Sequence, residues 1–358
     1  MSQTIQHFEI APRPPASQRA IAAWLFTLAA MILVMVSIGG ITRLTGSGLS
    51  IVEWRPLMGS LPPLSEGEWA RIFALYQTSP QYLAVNTGIS LAEFEAIFWW
   101  EWGHRFWGRL IGVVFFLPFL WFLVRRQIGL SLAPRLAFLF ILGGAQGVLG
   151  WYMVQSGLVD IPEVSQYRLA AHLALALALY VALFWTGLQL RHPEPETAPD
   201  RRLAGLRTLA MSTLGLVTIT IGAFVAGTDA GFAYNTFPLM DGALVPAGYL
   251  PQPWYASPFE DIATIQFHHR VLAIVSLIVA IATWWRSRWI VLVQRARRVA
   301  NGLLIMVCLQ VALGISTLVL VVPTPLAAAH QTGAVLLLTV TLWLLFELRA
   351  PHRSIAKA

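Results

Sequence analysis

Eight apolar runs dominate this chain, at about 20–42, 102–124, 134–155, 168–190, 203–226, 268–286, 299–322 and 326–347. Each can cross a hydrocarbon core of about 30 Å as a helix rising about 1.5 Å per residue. In lipid every backbone polar group must find its partner within the protein, and for an open chain only the helix manages this. Composition agrees. Of the 358 residues, 57% are hydrophobic types and 11% are charged, whereas a soluble domain carries about 25% charged residues. A soluble globular enzyme is therefore excluded. The expected fold is an all-α integral membrane protein with eight transmembrane helices, in contact with membrane lipid.

The net charge of +7 is almost all arginine, since Lys357 is the only lysine. Arg13 and Arg19, then Arg125, Arg126 and Arg135, then Arg191, Arg201 and Arg202, then the cluster from Arg286 to Arg298, and finally Arg349, Arg353 and Lys357 all fall on one side if there are eight spans. This bias sets membrane orientation. It puts both termini in the cytoplasm, or on the matrix side in an organelle, and it does not suggest nucleic-acid binding. Residues 1–18 are polar, with Pro12, Pro14 and Pro15 and no apolar core with a cleavage site, so a signal peptide is not expected. Two long loops fall on the opposite side, at about 43–100 and 227–266. Trp99, Trp100, Trp102, Trp254 and Tyr255 in or beside them read as interfacial anchors or as a cover over a ligand. Cys308 is the single cysteine, so an intramolecular disulfide is impossible.

The two halves of the chain can be laid over each other. "SIGGITRLTGSGL" at 37–49 matches "TIGAFVAGTDAGF" at 220–232, and "EWRPLMG" at 53–59 echoes "NTFPLMDG" at 235–242. "EWGHRFWGRLIG" at 101–112 matches "QFHHRVLAIVSL" at 266–277, "AQGVLG" at 145–150 matches "LQVALG" at 309–314, and "RLAAHLALAL" at 168–177 matches "PLAAAHQTGA" at 325–334. Four spans per half give both halves the same orientation, related by a pseudo-twofold axis along the membrane normal. The expected organisation is a cytoplasmic tail at 1–19, an N-terminal four-helix half at 20–190, a cytoplasmic linker at 191–202, a C-terminal four-helix half at 203–348 and a cytoplasmic tail at 349–358.

Of eight histidines, His7, His192 and His352 lie in polar tails or a charged loop. The duplication pairs His104 with His269, each followed by arginine (Arg105, Arg270), and His172 with His330, each preceded by alanines. Under the assigned orientation all four lie near the outer starts of alternate helices. One histidine in a span is often a satisfied hydrogen bond between helices. Four at matched depth in a repeated arrangement point to function. Two imidazoles facing across a bundle suit bis-axial ligation of haem iron; zinc would want further ligands. Gly143, Gly147, Gly150, Ala171 and Gly314 permit close helix approach or leave space for a flat macrocycle. Arg105 and Arg270 suit haem propionates or snorkel at the outer interface.

One position breaks the symmetry. Glu101 lies three residues before His104, whereas Gln266 lies three before His269. That spacing puts the acid on the histidine's face. A carboxylate near the hydrocarbon edge is costly unless it has a job, so the first half reads as catalytic and the second as an electron-handling copy. The plainer alternative is an i,i+4 salt bridge to Arg105.

"GGITRLTGSGLSIVEWRPLMGSLPPL", "EFEAIFWWEWGHRFWGRLIG" and "AYNTFPLMDG" resemble haem A synthase of the alphaproteobacterial and mitochondrial branch, from about residue 20 to 348. The resemblance implies oxidation of the C8 methyl of haem O to the formyl group of haem A by successive hydroxylations. It implies a haem b cofactor on His269 and His330, with Arg270 beside it. It implies a substrate haem at His104 and His172, with Arg105 beside it, and Glu101 as the essential acid. His268 competes with His269 as a ligand, and register with His104 favours His269. Haem O synthase and a membrane electron acceptor are the implied partners, and the bacterial inner membrane (mitochondrial in a eukaryote) the implied location. A dihaem b-type membrane cytochrome explains four histidines equally well, but gives no reason for Glu101 opposite Gln266.

Overall fold

The computed structural model describes residues 15–53, 59, 61–159, 162–192, 201–214 and 217–349. Most of "EWRPLMG", of the 191–202 linker and of both tails lies outside them. Among the described residues twelve α-helices are formed, and the only β pairing is one isolated bridge, Met240 to Ala243. Seven helices are long and apolar enough to cross a membrane. These are α1 (Ala16–Leu44), α4 (Leu91–Val124), α5 (Leu132–Gln155), α6 (Gln166–Arg191), α10 (Ile262–Ser287), α11 (Gln294–Val319) and α12 (Thr324–Glu347). The run expected as the fifth span, 203–226, is described as two shorter helices, α7 (Arg201–Leu214) and α8 (Val217–Gly227).

Burial sorts the spans. Half of the most apolar window of α1 is buried, against 6% for α5. Accordingly α1 packs on α4, α6 and α12, while Phe138, Ile141 and Val148 of α5 are exposed, like Val113 and Leu117 of α4 and Ile274 and Ile278 of α10. An apolar exterior of this kind suits acyl chains. Where lipid supplies no hydrophobic drive, small and polar residues join helices. Ser37 of α1 meets Thr332 of α12 at 2.7 Å, Gln331 donates to Val36 O at 2.9 Å, and Tyr180 of α6 meets Thr339 of α12 at 2.5 Å.

The outer segment between α1 and α4 is not a plain loop. It holds α2 (Glu66–Tyr76) and α3 (Pro80–Ala84), started by Ser65 and Ser79, whose side chains accept from Glu68 and Tyr82 amides. The helix of the second apolar run starts at Leu91 rather than near 102, as the hydropathy suggested. Ser90 and Glu93 form a capping box there, so Glu93 is a cap. The added turns bury Phe94 and Phe98 against Trp69, Phe73 and Tyr76. His104 therefore lies well inside its helix rather than near its start, whereas His172, His269 and His330 sit in the second turn of theirs. Burial raises the Tyr76 phenol above its ordinary value. The neutral hydroxyl donates to Gln81 and accepts from Asn86, and Gln81 donates in turn to Gly46 O. The outer tryptophans Trp99, Trp100 and Trp254 and Tyr255 are exposed, as anchors must be.

Candidate functional site: two histidine pairs and one buried acid

His104 stands on α4, His172 on α6, His269 on α10 and His330 on α12, each half-buried. The ring centres of His269 and His330 are 6.4 Å apart and their planes cross at 82°. Two imidazoles sharing one metal at about 2.0 Å per bond, with roughly 1 Å more from nitrogen to ring centre, would hold their centres about 6 Å apart. The pair is thus spaced for a single iron. His268 turns elsewhere: its Nε2 meets the Tyr249 hydroxyl at 3.0 Å.

A glycine faces each ring. A Cβ on Gly150 or Gly314 would stand 2.9 Å from Cε1 of His172 or His330, and one on Gly39 would stand 3.0 Å from His104 Nε2. At Gly222 the distance to His269 Cε1 is an ordinary 3.7 Å. The imidazoles therefore occupy space that side chains would fill. The Nδ1 atoms of His172 and His269 are buried and have no hydrogen-bond partner among the described residues, a cost native interiors seldom carry. The His269–His330 spacing, the unmet ring nitrogen and the glycine clearances fit a haem at the second pair, and the clearances at Gly39 and Gly150 with the unmet His172 Nδ1 suit one at the first. No group of three or more His, Cys, Asp and Glu side chains suited to a metal ion occurs among the described residues.

Glu101 is 2% exposed and lies one turn outward from His104. Its Oε2 accepts from Ser50 Oγ and from the Ile51 amide, both at 2.8 Å. Its Oε1 accepts from Arg105 Nη2, which also donates to Ile51 O at 3.1 Å. The i,i+4 salt bridge to Arg105 is present, and with Ser50 and Ile51 it fixes the position of the acid. Arg105 is only 17% exposed, so it does not snorkel into interfacial water. Its guanidinium ties the chain after α1 to α4.

Gln266, also 2% exposed, is built into the same pattern with opposite polarity. Its Nε2 donates to Ala230 O at 2.7 Å and Ala233 O at 2.6 Å. Its Oε1 accepts from Arg270 Nη2 at 3.1 Å, and Arg270 also donates to Tyr234 O and Thr236 O. The shift that aligns 37–49 with 220–232 carries Ser50 onto Ala233 and Ile51 onto Tyr234. The acid faces donors in one half, and the amide faces carbonyls in the other.

The chain matches the cytochrome oxidase assembly protein family over residues 22–342. The chain belongs to this family. It is 50% identical over 337 residues to the haem A synthase of Nitrosospira multiformis, covering 93% of this chain and 95% of the relative. It is 53% identical over 340 residues to that of Granulibacter bethesdensis, covering 93% and 88%. It is 50% identical over 337 residues to that of Paramagnetospirillum magneticum, covering 93% and 94%. The family match spans all four histidines and Glu101.

Three parts of this family member's site escaped sequence reasoning. Ser50 and Gly39 lie in the segment that aligns 37–49 and its flank with 220–232, yet nothing in that alignment says they reach α4. Gln146 and Gln310 sit in the aligned "AQGVLG" and "LQVALG" and contact His172 and His330. The shared glutamine was the available signal.

Proposed function

We propose that this chain is a haem A synthase, oxidising the C8 methyl of haem O to the formyl group of haem A for cytochrome oxidase assembly. Relatives about 50% identical along 93% of the chain carry that name. The observation that carries the mechanism is the Glu101 cradle, an acid held by Ser50, Ile51 and Arg105 beside His104, with Gln266 in the matching place. His104 and His172 hold the substrate haem, and His269 and His330 hold haem b. A haem in the second pair supplies one-electron transfer. The halves are two duplicated four-helix bundles related by a pseudo-twofold axis, with α7 and α8 together forming the fifth of eight spans. Both termini are cytoplasmic in the inner membrane, following the arginine bias.

Each hydroxylation breaks one C–H bond of the methyl carbon, which gives up two electrons and one proton, and forms a C–O bond to a water that gives up the second proton. The second gives a gem-diol, which loses water to the aldehyde. Glu101 accepts the proton of the water that adds at the methyl carbon, and its charge stabilises the positive charge developing there. Ser50 and the Ile51 amide fix Oε2 while Arg105 holds Oε1. Electrons pass through the second half to a membrane acceptor, and haem O synthase supplies the substrate.

The test is Glu101→Gln in the full chain, followed by haem extraction and mass analysis. The variant retains haem and accumulates haem O or the hydroxylated intermediate. Normal haem A output would remove Glu101 from the chemistry. An unaltered protein holding haem b alone, with no haem O or haem A, would make it a dihaem cytochrome instead.

A further inference from the structure

Two glutamines remain outside the mechanism, and both touch a ligand histidine. Gln146 of α5 donates from Nε2 to His172 O at 2.9 Å, and the same nitrogen stands 3.3 Å from the ring's Nε2. Gln310 of α11 donates from Nε2 to His330 O at 2.9 Å and stands 3.1 Å from the ring's Nδ1. In each case the glycine that clears the ring follows one turn later on the same helix, Gly150 after Gln146 and Gly314 after Gln310, and residues four apart share a helix face. Each of α5 and α11 thus offers one imidazole a seat made of a carboxamide and a bare backbone. Gly333 completes the second seat, because a Cβ there would collide with Gln310 Oε1.

We propose that Gln146 and Gln310 are positioning residues that clamp the imidazoles of His172 and His330, and that Gln310, which meets Nδ1 and leaves Nε2 for iron, also sets the donor strength of His330. The inference rests on the haem reading given above. A carboxamide anchored to the histidine's own carbonyl holds the ring torsions from a neighbouring helix, so the ring keeps its orientation whether or not a haem is bound. The Oε1 atoms of both glutamines are buried with no partner among the described residues. A ligand imidazole gives one nitrogen to the metal and carries N–H on the other, and that N–H requires an acceptor. A half-turn of the carboxamide would supply one from the same side chain, in exchange for its bond to the histidine's carbonyl. His104 and His269 have no such clamp: His269 Nδ1 is buried without a partner among the described residues. Each haem therefore has one clamped and one unclamped ligand, and in the first half the unclamped His104 lies on the helix of Glu101. Exchange of substrate for product then works through the His104 side, with His172 as the fixed post.

The test compares the full-length unaltered protein with Gln310→Leu and Gln310→Glu by haem content, electron paramagnetic resonance of the ferric haem and redox titration. Gln310→Leu removes the acceptor, shifts the low-spin g values and raises the haem b potential. Gln310→Glu keeps the shape, offers a charged acceptor and lowers the potential. Opposite shifts at one position are not the mark of simple loosening. Gln146→Leu raises KM for haem O about tenfold, the low end of what losing a ligand's outer partner costs, with the haem b spectrum unchanged. Gln310→Glu keeps the question answerable if Gln310→Leu fails to fold. A potential and g values equal to those of the unaltered protein in Gln310→Glu would overturn the inference. An unaltered protein without a two-histidine haem would overturn the reading beneath it, and that is known before any substitution is made.

Discussion

The Ser50 hydroxyl donates to Glu101 Oε2 over 2.8 Å, whereas Ala233, which the alignment of the two halves places opposite Ser50, has no hydroxyl to give. Donor and acid occur together in one half and are missing together in the other. A hydrogen bond to a charged group contributes about 1.5–3 kcal/mol, and about 1.4 kcal/mol is tenfold in rate. Ser50→Ala leaves the Ile51 amide and Arg105 in place. We expect kcat for haem A formation to fall about tenfold while the content of bound haem stays near that of the unaltered protein. A variant with full turnover would show that the backbone amide and guanidinium suffice.

The glycines opposite the histidine rings should not respond alike. A Cβ on Gly314 would press on His330 at 2.9 Å, but one on Gly222 would touch His269 at 3.7 Å, ordinary contact. Overpacking costs about 1–3 kcal/mol, and here the yielding part is a histidine ring. Gly314→Ala should lose most of its haem b, and Gly150→Ala should lose substrate-haem binding. Gly222→Ala should keep both. Absorbance of the purified proteins in the Soret region ranks them, and a Gly222→Ala protein emptier than Gly314→Ala would contradict the geometry.

How far the site was legible depended on whether its partners lie on one helix. Glu101, His104 and Arg105 share α4 at helical spacing, so their common face could be read directly, as could the matching Gln266, His269 and Arg270. His330 was legible because the chain repeats itself around it. Ser50 reaches Glu101 across 51 residues and Gln146 reaches His172 across 26, and no periodicity encodes such meetings. The start of α4 was misjudged for a related reason. Hydropathy follows lipid contact, but Phe94 and Phe98 are covered by Trp69, Phe73 and Tyr76 of the outer segment, so the helix runs on beyond the apolar stretch.

Converting the second half to the chemistry of the first should fail. Gln266 Nε2 satisfies the carbonyls of Ala230 and Ala233. Gln266→Glu would set a carboxylate against both and strip each of its donor, at about 1–3 kcal/mol for each buried group left unpaired. We expect a melting temperature several degrees lower and loss of haem b, with no second catalytic site. A Gln266→Glu protein as stable as the unaltered one would mean that the 227–266 loop rearranges freely around α10.

The chain has a second buried acid, and it separates structural from chemical roles. Glu347, 2% exposed, accepts from Arg295 Nε at 2.6 Å and from Trp343 Nε1 at 2.9 Å at the arginine-rich end of the bundle. Arg295 in turn meets His192 Nδ1 at 3.1 Å, so the pair ties α12 to α11 and to the end of α6. Removing one partner of a fully buried pair costs about 3–5 kcal/mol. Arg295 keeps 24% of its side chain exposed, which lowers the expected cost of Glu347→Ala to about 2–3 kcal/mol. Glu347→Gln retains an acceptor for Trp343 and should cost less. Neither should change the haem products made per folded molecule, whereas Glu101→Gln, at a stability cost like that of Glu347→Gln, should change the products. Thermal melts paired with extracted-haem ratios give both quantities from one preparation. A Glu347→Gln protein that is stable but accumulates haem O would move the essential acid to the opposite end of the membrane.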